Sequence, residues 1–69
     1  MKRARVQSSN IASVGYDEEQ RILEIVFRNG GVYHYLEVPP ERVLSLLRAE
    51  SKGRYLNAEI KPYFDYRAV

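Results

Sequence analysis

The residues with the greatest potential for chemistry are few and scattered along the sequence. His34 is the single histidine, and tyrosines flank it on both sides. The chain shows no serine in a nucleophile-elbow pattern, no glycine-rich phosphate loop and no histidine pair at helical spacing. The acidic run 17–19 lacks the alternating oxygen donors and sharp glycine turn of a calcium loop, so it indicates a solvated turn. We therefore expect a chain without catalytic residues, cofactor or metal site.

A short basic segment is the first candidate for ligand binding. Lys52 and Arg54 lie on either side of Gly53 in the segment 51–57, which leads into the N-terminus of a predicted short helix. Such a segment can hold a phosphate through backbone N–H groups and charge-assisted hydrogen bonds. The simpler interpretation is a helix cap, because basic residues in a last helical turn interact favourably with the helix dipole. The cap needs no ligand, and the sequence favours it.

Six tyrosines in 69 residues are the second candidate, because phenol rings can stack on bases or fill an interface. Tyr33 and Tyr35 share one face of a predicted strand, and the length of the preceding hairpin loop decides which face that is. A two-residue loop pairs Phe27 with Val32 and points both rings away from the core. A three-residue loop over 29–31 pairs Phe27 with Tyr33 and buries them. We favour the core, since two rings add much apolar area to a small domain.

The charge of the chain is concentrated at its start. Lys2, Arg3 and Arg5 supply three of the eleven basic residues. The 64 residues that follow residue 5 carry eight basic and nine acidic side chains. Residues 1–5 therefore indicate a basic N-terminal arm, and residues 6–69 a near-neutral body. Net charge alone gives no support to a folded groove for an acidic partner.

Length and composition limit the class of protein. With 69 residues, no cysteine and 45% hydrophobic residues, the chain can form one small domain without disulfides. The basic opening is followed by no apolar run of the length an export signal or membrane span requires. We expect a cytoplasmic protein with no membrane partner.

The pattern of residues predicts an α+β fold. Residues 11–16, 21–28 and 32–38 alternate or are rich in β-branched and aromatic residues, and Asn29-Gly30 favours a tight hairpin turn between the last two. These segments indicate a three-stranded antiparallel meander, with the first or third strand at a free edge. In the second strand Leu23, Ile25 and Phe27 occupy one face and Ile22, Glu24 and Val26 the other.

A helix is predicted to follow the sheet. Pro39-Pro40 ends the third strand and presets a helical first turn. Val43, Leu44, Leu46 and Leu47 fall in one apolar sector, which predicts an amphipathic helix that covers the sheet and ends by 51–53, with Gly53 as a left-handed cap. A short second helix is expected over 54–60, and the aromatic tail 63–66 is expected to pack back on the domain.

The ordered set of these residues resembles the KTSC domain family, which occurs at the C-terminus of some lysyl-tRNA synthetases and as small bacterial proteins. The resemblance runs from about Val6 to Tyr63, and the central Tyr33-x-Tyr35 matches the family's hallmark. Leu56 departs from the pattern, since an aromatic residue is common there. The other matching residues are Gln7 to Ile11, Gly15-Tyr16, Phe27, Asn29-Gly30, Val32 to Tyr35, Val38-Pro39, Ala49, Ser51-Lys52-Gly53, Tyr55, Asn57, Ile60 and Tyr63.

The resemblance implies a small α+β domain for which RNA binding has been suggested. The leading hypothesis is a non-catalytic module that binds RNA or tRNA, and the alternative is a domain that binds a protein partner or a second copy of itself. In the first case cations contact phosphates and any exposed tyrosine stacks on unpaired bases. The candidate residues are Lys2, Arg3, Arg5, Tyr33, Tyr35, Lys52, Arg54, Tyr55 and Asn57.

Overall fold

A computed structural model describes residues 2–6 and 8–69 of the chain. It contains a five-stranded antiparallel sheet in which spatial order follows chain order. The strands are β1 (Lys2–Arg5), β2 (Ile11–Asp17), β3 (Ile22–Phe27), β4 (Val32–Tyr35) and β5 (Tyr66–Ala68). Two helices lie between β4 and β5: α1 (Pro40–Arg48), and α2 (Lys52–Tyr55), which continues as a π-helical turn over Leu56–Ile60. The predicted α+β class and the order of a meander followed by two helices are confirmed.

The strand count is the main correction to the predicted fold. Residues 2–5, expected to form an arm outside the domain, pair with β2 from Lys2 opposite Tyr16 to Arg5 opposite Ser13. At the other edge the aromatic tail returns as β5, whose Tyr66 lies opposite Tyr35. The free edges of the sheet are therefore β1 and β5, and neither of the predicted edge strands is one. Both added strands are short, so their pattern of residue types carries little signal.

The β3–β4 hairpin settles the orientation of the tyrosines. Its loop consists of Arg28, Asn29 and Gly30, closed by hydrogen bonds from the Phe27 N–H to the Gly31 carbonyl at 2.8 Å and from the Gly30 N–H to the Phe27 carbonyl at 3.0 Å. Gly30 has a φ of +97°, a conformation that costs other residues more than it costs glycine.

The loop is three residues long, as favoured, but it lies one position earlier than predicted. As a result Ile25, and not Phe27, lies opposite Tyr33, and Leu23 lies opposite Tyr35. The shift in pairing is two residues, so the side chains keep the predicted face. The preference for the core is confirmed in full for Tyr35, which is 2% exposed, while Tyr33 is half-buried.

The helices cover one face of the sheet. Leu23, Ile25 and Tyr35 from the sheet pack against Val43 and Leu46 of α1 and against buried residues of the following turn, Leu56 and Ile60. Helix α1 begins as predicted, with Pro39 extended before it and Pro40 in its first turn. The predicted apolar sector is only half right, because Leu44 is 51% and Leu47 is 38% exposed. Gly53, predicted as a left-handed cap, lies inside α2 without a positive φ.

Arg42 connects α1 to the segment that leads into β5. Its guanidinium donates to the Glu59 carboxylate at 3.0 Å and to the Glu59 carbonyl at 3.2 Å. The same group lies 5.6 Å from the centre of the Tyr63 ring and 6.0 Å from that of Phe64. These contacts hold the chain in place where it turns back towards β4, and they support the docking of the tail.

The sheet face opposite the helices carries a buried carboxylate. Glu24 alternates with the core residues of β3, and its side chain is 8% exposed. Its oxygens accept hydrogen bonds from the Arg3 guanidinium and from the His34 ring, the latter at 2.8 Å. Gly15 lies between Arg3 and Glu24 in the pairing register and offers no side chain to separate them. The ion pair therefore joins edge strand β1 to the central strand β3.

The Glu24 carboxylate should make stability depend on pH. The hydrogen bonds from Arg3 and then His34 outweigh desolvation and hold the pKa of Glu24 below its ordinary value of 4.5. The folded state therefore binds this proton less readily than the unfolded chain, so the stabilisation is present above about pH 4.5 and is lost as pH falls below it. We expect Glu24→Gln to lower the free energy of unfolding at neutral pH by about 1–3 kcal/mol.

Urea unfolding at neutral pH and at about pH 3 checks this expectation. The difference between wild type and Glu24→Gln should shrink at the lower pH. Glu19→Gln, in an exposed turn, is the matched control and should differ little from wild type at either pH. A Glu24→Gln difference that stays constant with pH would contradict the role given to the ion pair.

Candidate functional site

A polar cleft separates the segment before β2 from α2. Its volume is about 650 Å³. One wall is Ser8, Ser9 and Asn10, and the other is the chain from Glu50 to Arg54 together with Asn57 and Ala58. The walls face each other at Gly53, where an added Cβ would lie 3.7 Å from the Asn10 side-chain nitrogen. A smaller recess beside Phe27 and Lys61 adjoins this space. We call the two spaces together the basic cleft.

Hydrogen bonds to the backbone shape the first wall. The Ser8 hydroxyl accepts from the backbone N–H groups of Asn10 and Ile11, both at 3.3 Å. The Arg28 side chain donates to the Ser8 carbonyl at 2.8 Å, and the Arg28 N–H donates to the Asn10 carbonyl at 2.8 Å. The hairpin loop thus holds the segment 8–10 beside α2, and the Asn10 amide borders the cleft.

In the second wall, Ser51 and Lys52 make the capping contacts that the helix-cap interpretation predicts. The Ser51 hydroxyl accepts from the Arg54 N–H at 3.3 Å, and the Lys52 ammonium donates to the Ala49 carbonyl at 3.1 Å. The Arg54 N–H, one of the backbone groups of the predicted phosphate-binding segment, is therefore already used within the chain. An anion in the cleft cannot use this N–H group, but the side chains of Arg54 and Asn57 are exposed there.

The adjoining recess extends the cleft towards the hairpin. It has a volume of about 350 Å³ and shares Ser9, Asn10, Gly53 and Asn57 with the first space. Its remaining lining residues are Phe27, Arg28, Asn29, Leu56 and Lys61. The combined lining carries four cations, Arg28, Lys52, Arg54 and Lys61, and one carboxylate, that of Glu50. Three asparagine amides lie among them.

The structure separates the predicted candidate residues into groups. Lys52, Arg54 and Asn57 share the basic cleft. Arg3 lies on the sheet face opposite the helices, in contact with Glu24, and Arg5 follows it on the same face of β1. The side chain of Lys2 lies outside the part of the chain that the structure describes. Of the predicted arm, Arg3 and Arg5 are therefore not part of the cleft.

The candidate tyrosines are also divided. Tyr35 is 2% exposed, so it cannot offer a ring face to a base from solution. Burial, together with the neighbouring Tyr66 and Tyr33, raises the pKa of its phenol. Tyr55 is half-buried and packs against the hydrophobic core. Tyr33 is half-buried and borders a separate recess beside Tyr66.

Sequence reasoning missed several residues that line these spaces, among them Asn10, Arg28, Lys61 and Tyr66. The polar run Ser8 to Asn10 is part of the family resemblance, and that was the available signal for this wall. Arg28 and Lys61 had no such signal, because nothing local distinguishes them from other exposed cations. Only the fold brings them together, across more than 30 positions of sequence.

The described residues offer neither a metal cluster nor a membrane-spanning helix. Across residues 2–6 and 8–69, no three His, Cys, Asp or Glu side chains come together as metal ligands would. No helix within the same ranges has the length and apolar character to cross a membrane. What the described geometry can do chemically is bind an anionic ligand through cations and amides.

Comparison with known proteins places these features in a family. The KTSC domain profile matches residues 7–64. An uncharacterised protein of Stutzerimonas stutzeri is 53% identical over 62 residues, which are 90% of this chain and 87% of that one. A protein of Tsukamurella paurometabola is 50% identical, with 93% and 92% covered. The crystal structure of a KTSC domain protein from Yersinia pestis superposes with a TM-score of 0.94 at 44% identity, covering 99% of this chain and 96% of that chain.

The close approach at Gly53 has a testable consequence for stability. An added Cβ meets only the Asn10 amide, at an ordinary contact distance, and the backbone there is helical. Gly53→Ala should therefore raise the free energy of unfolding by about 0.5 kcal/mol, since alanine loses less backbone entropy in a helix. Gly30→Ala is the contrasting variant and should lower it, because Gly30 has a positive φ. Urea unfolding measures both, and a loss of stability in Gly53→Ala would mean that the walls are packed more tightly than described.

Proposed function

The chain belongs to the KTSC domain family, and from this premise we propose that it is a non-catalytic module that binds single-stranded RNA in the basic cleft. The observation that carries the proposal is the charge of the lining, four cations against one carboxylate. Phosphate groups are the ligands that such a concentration of Lys and Arg side chains favours. Asparagine amides beside them can donate to and accept from base edges or ribose hydroxyls.

The distribution of charge supports this proposal better than the total charge does. The chain carries a net charge of +2, and its acidic residues nearly balance its basic ones. Two ion pairs outside the cleft, Glu24 with Arg3 and Glu59 with Arg42, add no net charge. The lining of the cleft itself has three more cations than carboxylates. A near-neutral protein can bind an anionic strand when its unbalanced cations lie along one surface, because the field is local at physiological salt.

Arg54 offers the sharpest test of the cleft. It is exposed and lines the cleft. Arg54→Ala should weaken binding of a single-stranded RNA, and separately of a tRNA, without loss of stability. It should also lower the slope of log affinity against log salt by about 1, the value for one lost phosphate contact. Fluorescence anisotropy over a range of salt concentrations measures both quantities.

The matched control is Arg48→Ala, which removes the same charge from an exposed position of α1 outside the cleft lining. Its affinity and salt slope should stay close to those of wild type. Equal losses in the two variants would indicate non-specific attraction and contradict the cleft. Absence of binding by wild type at low salt would overturn the proposal itself.

A protein interface is the second candidate function, and the exposed leucines of α1 favour it. Leu44 is 51% exposed and Leu47 is 38% exposed. Leu47 borders a shallow groove with Val14, Tyr16 and Val43, between α1 and the β1–β2 side of the sheet. Apolar side chains that remain exposed together are typical of surfaces that bind another protein or a second copy.

Self-association through α1 can be tested by sedimentation velocity over a range of protein concentrations. On this proposal the wild-type mass rises with concentration, and the double variant Leu44→Ser, Leu47→Ser stays monomeric because its apolar contact area is lost. Salt should have little effect on the association, in contrast to RNA binding. A wild-type mass that stays at one copy throughout would exclude self-association and leave only a different protein as the partner.

A further inference from the structure

An aromatic recess adjoins the basic cleft. Four rings, those of Phe27, Tyr33, Tyr35 and Tyr66, line it together with Lys61, and its volume is about 200 Å³. Phe27 and Lys61 also line the cleft, so the two spaces share a wall. A ligand that follows the cleft past Arg28 and Lys61 reaches these rings next.

The rings form a fixed cluster with one open member. Phe27 and Tyr33 pack edge to face with centres 5.5 Å apart, and Tyr33 and Tyr66 do the same at 5.5 Å. Tyr35 lies 5.6 Å from Tyr66 and is almost completely buried. Tyr33 and Tyr35 contact the Tyr66 ring. Tyr66 is nevertheless 59% exposed, so much of it is accessible to a ligand.

The composition of the recess distinguishes its ligand from that of the cleft. Its lining has four rings and a single cation, whereas the cleft has four cations and one ring. Aromatic faces bind flat ring systems, and a base stacked on one is stabilised whatever its identity. The recess is smaller than the pockets that hold drug-sized ligands, which suits one ring system and excludes a folded peptide.

We propose that the aromatic recess receives one unpaired base of the strand bound in the basic cleft, stacked on Tyr66, while Lys61 contacts the phosphate beside it. This inference rests on the proposed function, and it adds a base-binding position to a phosphate-binding surface. Tyr33 and Tyr35 position the Tyr66 ring from the core side. The pairing of the tail with β4 sets the distances between these three rings.

The experiment compares two single-stranded probes of about eight nucleotides, an oligouridylate and an oligomer of the same length without bases. Wild type should bind the oligouridylate more tightly than the abasic oligomer. Tyr66→Leu keeps apolar bulk at the edge strand but removes the ring, and it should weaken oligouridylate binding roughly 5-fold or more. Its affinity for the abasic oligomer should be unchanged, because the phosphate contacts remain.

Two variants complete the test. Tyr66→Phe keeps the ring and should bind the oligouridylate nearly as wild type does. Tyr63→Leu removes an exposed ring outside the recess, and Arg42 keeps its contacts with Glu59 and Phe64 in this variant. The tail should therefore stay docked, and the affinity for either probe should not change. Urea unfolding of each variant checks that the fold is retained. If Tyr66→Leu proves unstable, the comparison of the two probes on wild type still tests the inference.

The outcomes separate this inference from the proposed function. If Arg54→Ala weakens both probes but Tyr66→Leu weakens neither, the cleft binds phosphates and the recess is not a base site. Equal binding of the two probes by wild type would also exclude a base site in the recess. If wild type binds neither probe at low salt, the proposed function fails and the recess fails with it.

Discussion

The conformation of the β3–β4 loop is the constraint on which the rest of the structure depends. Gly30 at φ +97° closes a three-residue turn, and the loop length fixes which face of the sheet each residue of β4 occupies. A loop one residue shorter would reverse that face. Tyr35 would then leave the core, and His34 would leave Glu24. One glycine conformation therefore determines both the main aromatic contribution to the core and the polar contacts on the opposite face.

The orientation of β4 has a different consequence on each face of the sheet. On the helix face it keeps Tyr35 on the side where Tyr66 of β5 packs, so the tail completes the sheet through ring contacts as well as backbone hydrogen bonds. On the open face it places His34 opposite Glu24, and Arg3 reaches the same carboxylate from the edge strand. The added strands β1 and β5 are thus fastened by side chains as well as by pairing, which matters in a domain too small to rely on its core alone.

The candidate site follows from how separate segments meet. The segment before β2, the hairpin loop, α2 and the π-helical turn each contribute cations or amides to the basic cleft. Four cations and one carboxylate line it, so the cleft is positive although the chain is nearly balanced. The aromatic recess adjoins this surface because Phe27 and Lys61 face both spaces. A total charge taken from composition cannot describe such a surface, since it gives no account of position.

The sequence by itself determined the features that arise within a few residues. The alternation in β3, the glycine turn, the proline start of α1 and the α+β class could all be predicted, because backbone preference and residue periodicity are local. Tertiary structure alone decided the edge strands, the exact position of the hairpin loop and the exposure of Leu44 and Leu47. It also brought Arg28 and Lys61 to the cleft. Arg3, which was also predicted to contact RNA, instead binds Glu24 on the opposite face of the sheet. These features depend on contacts between distant segments, and the energy of such contacts is not encoded in either segment alone.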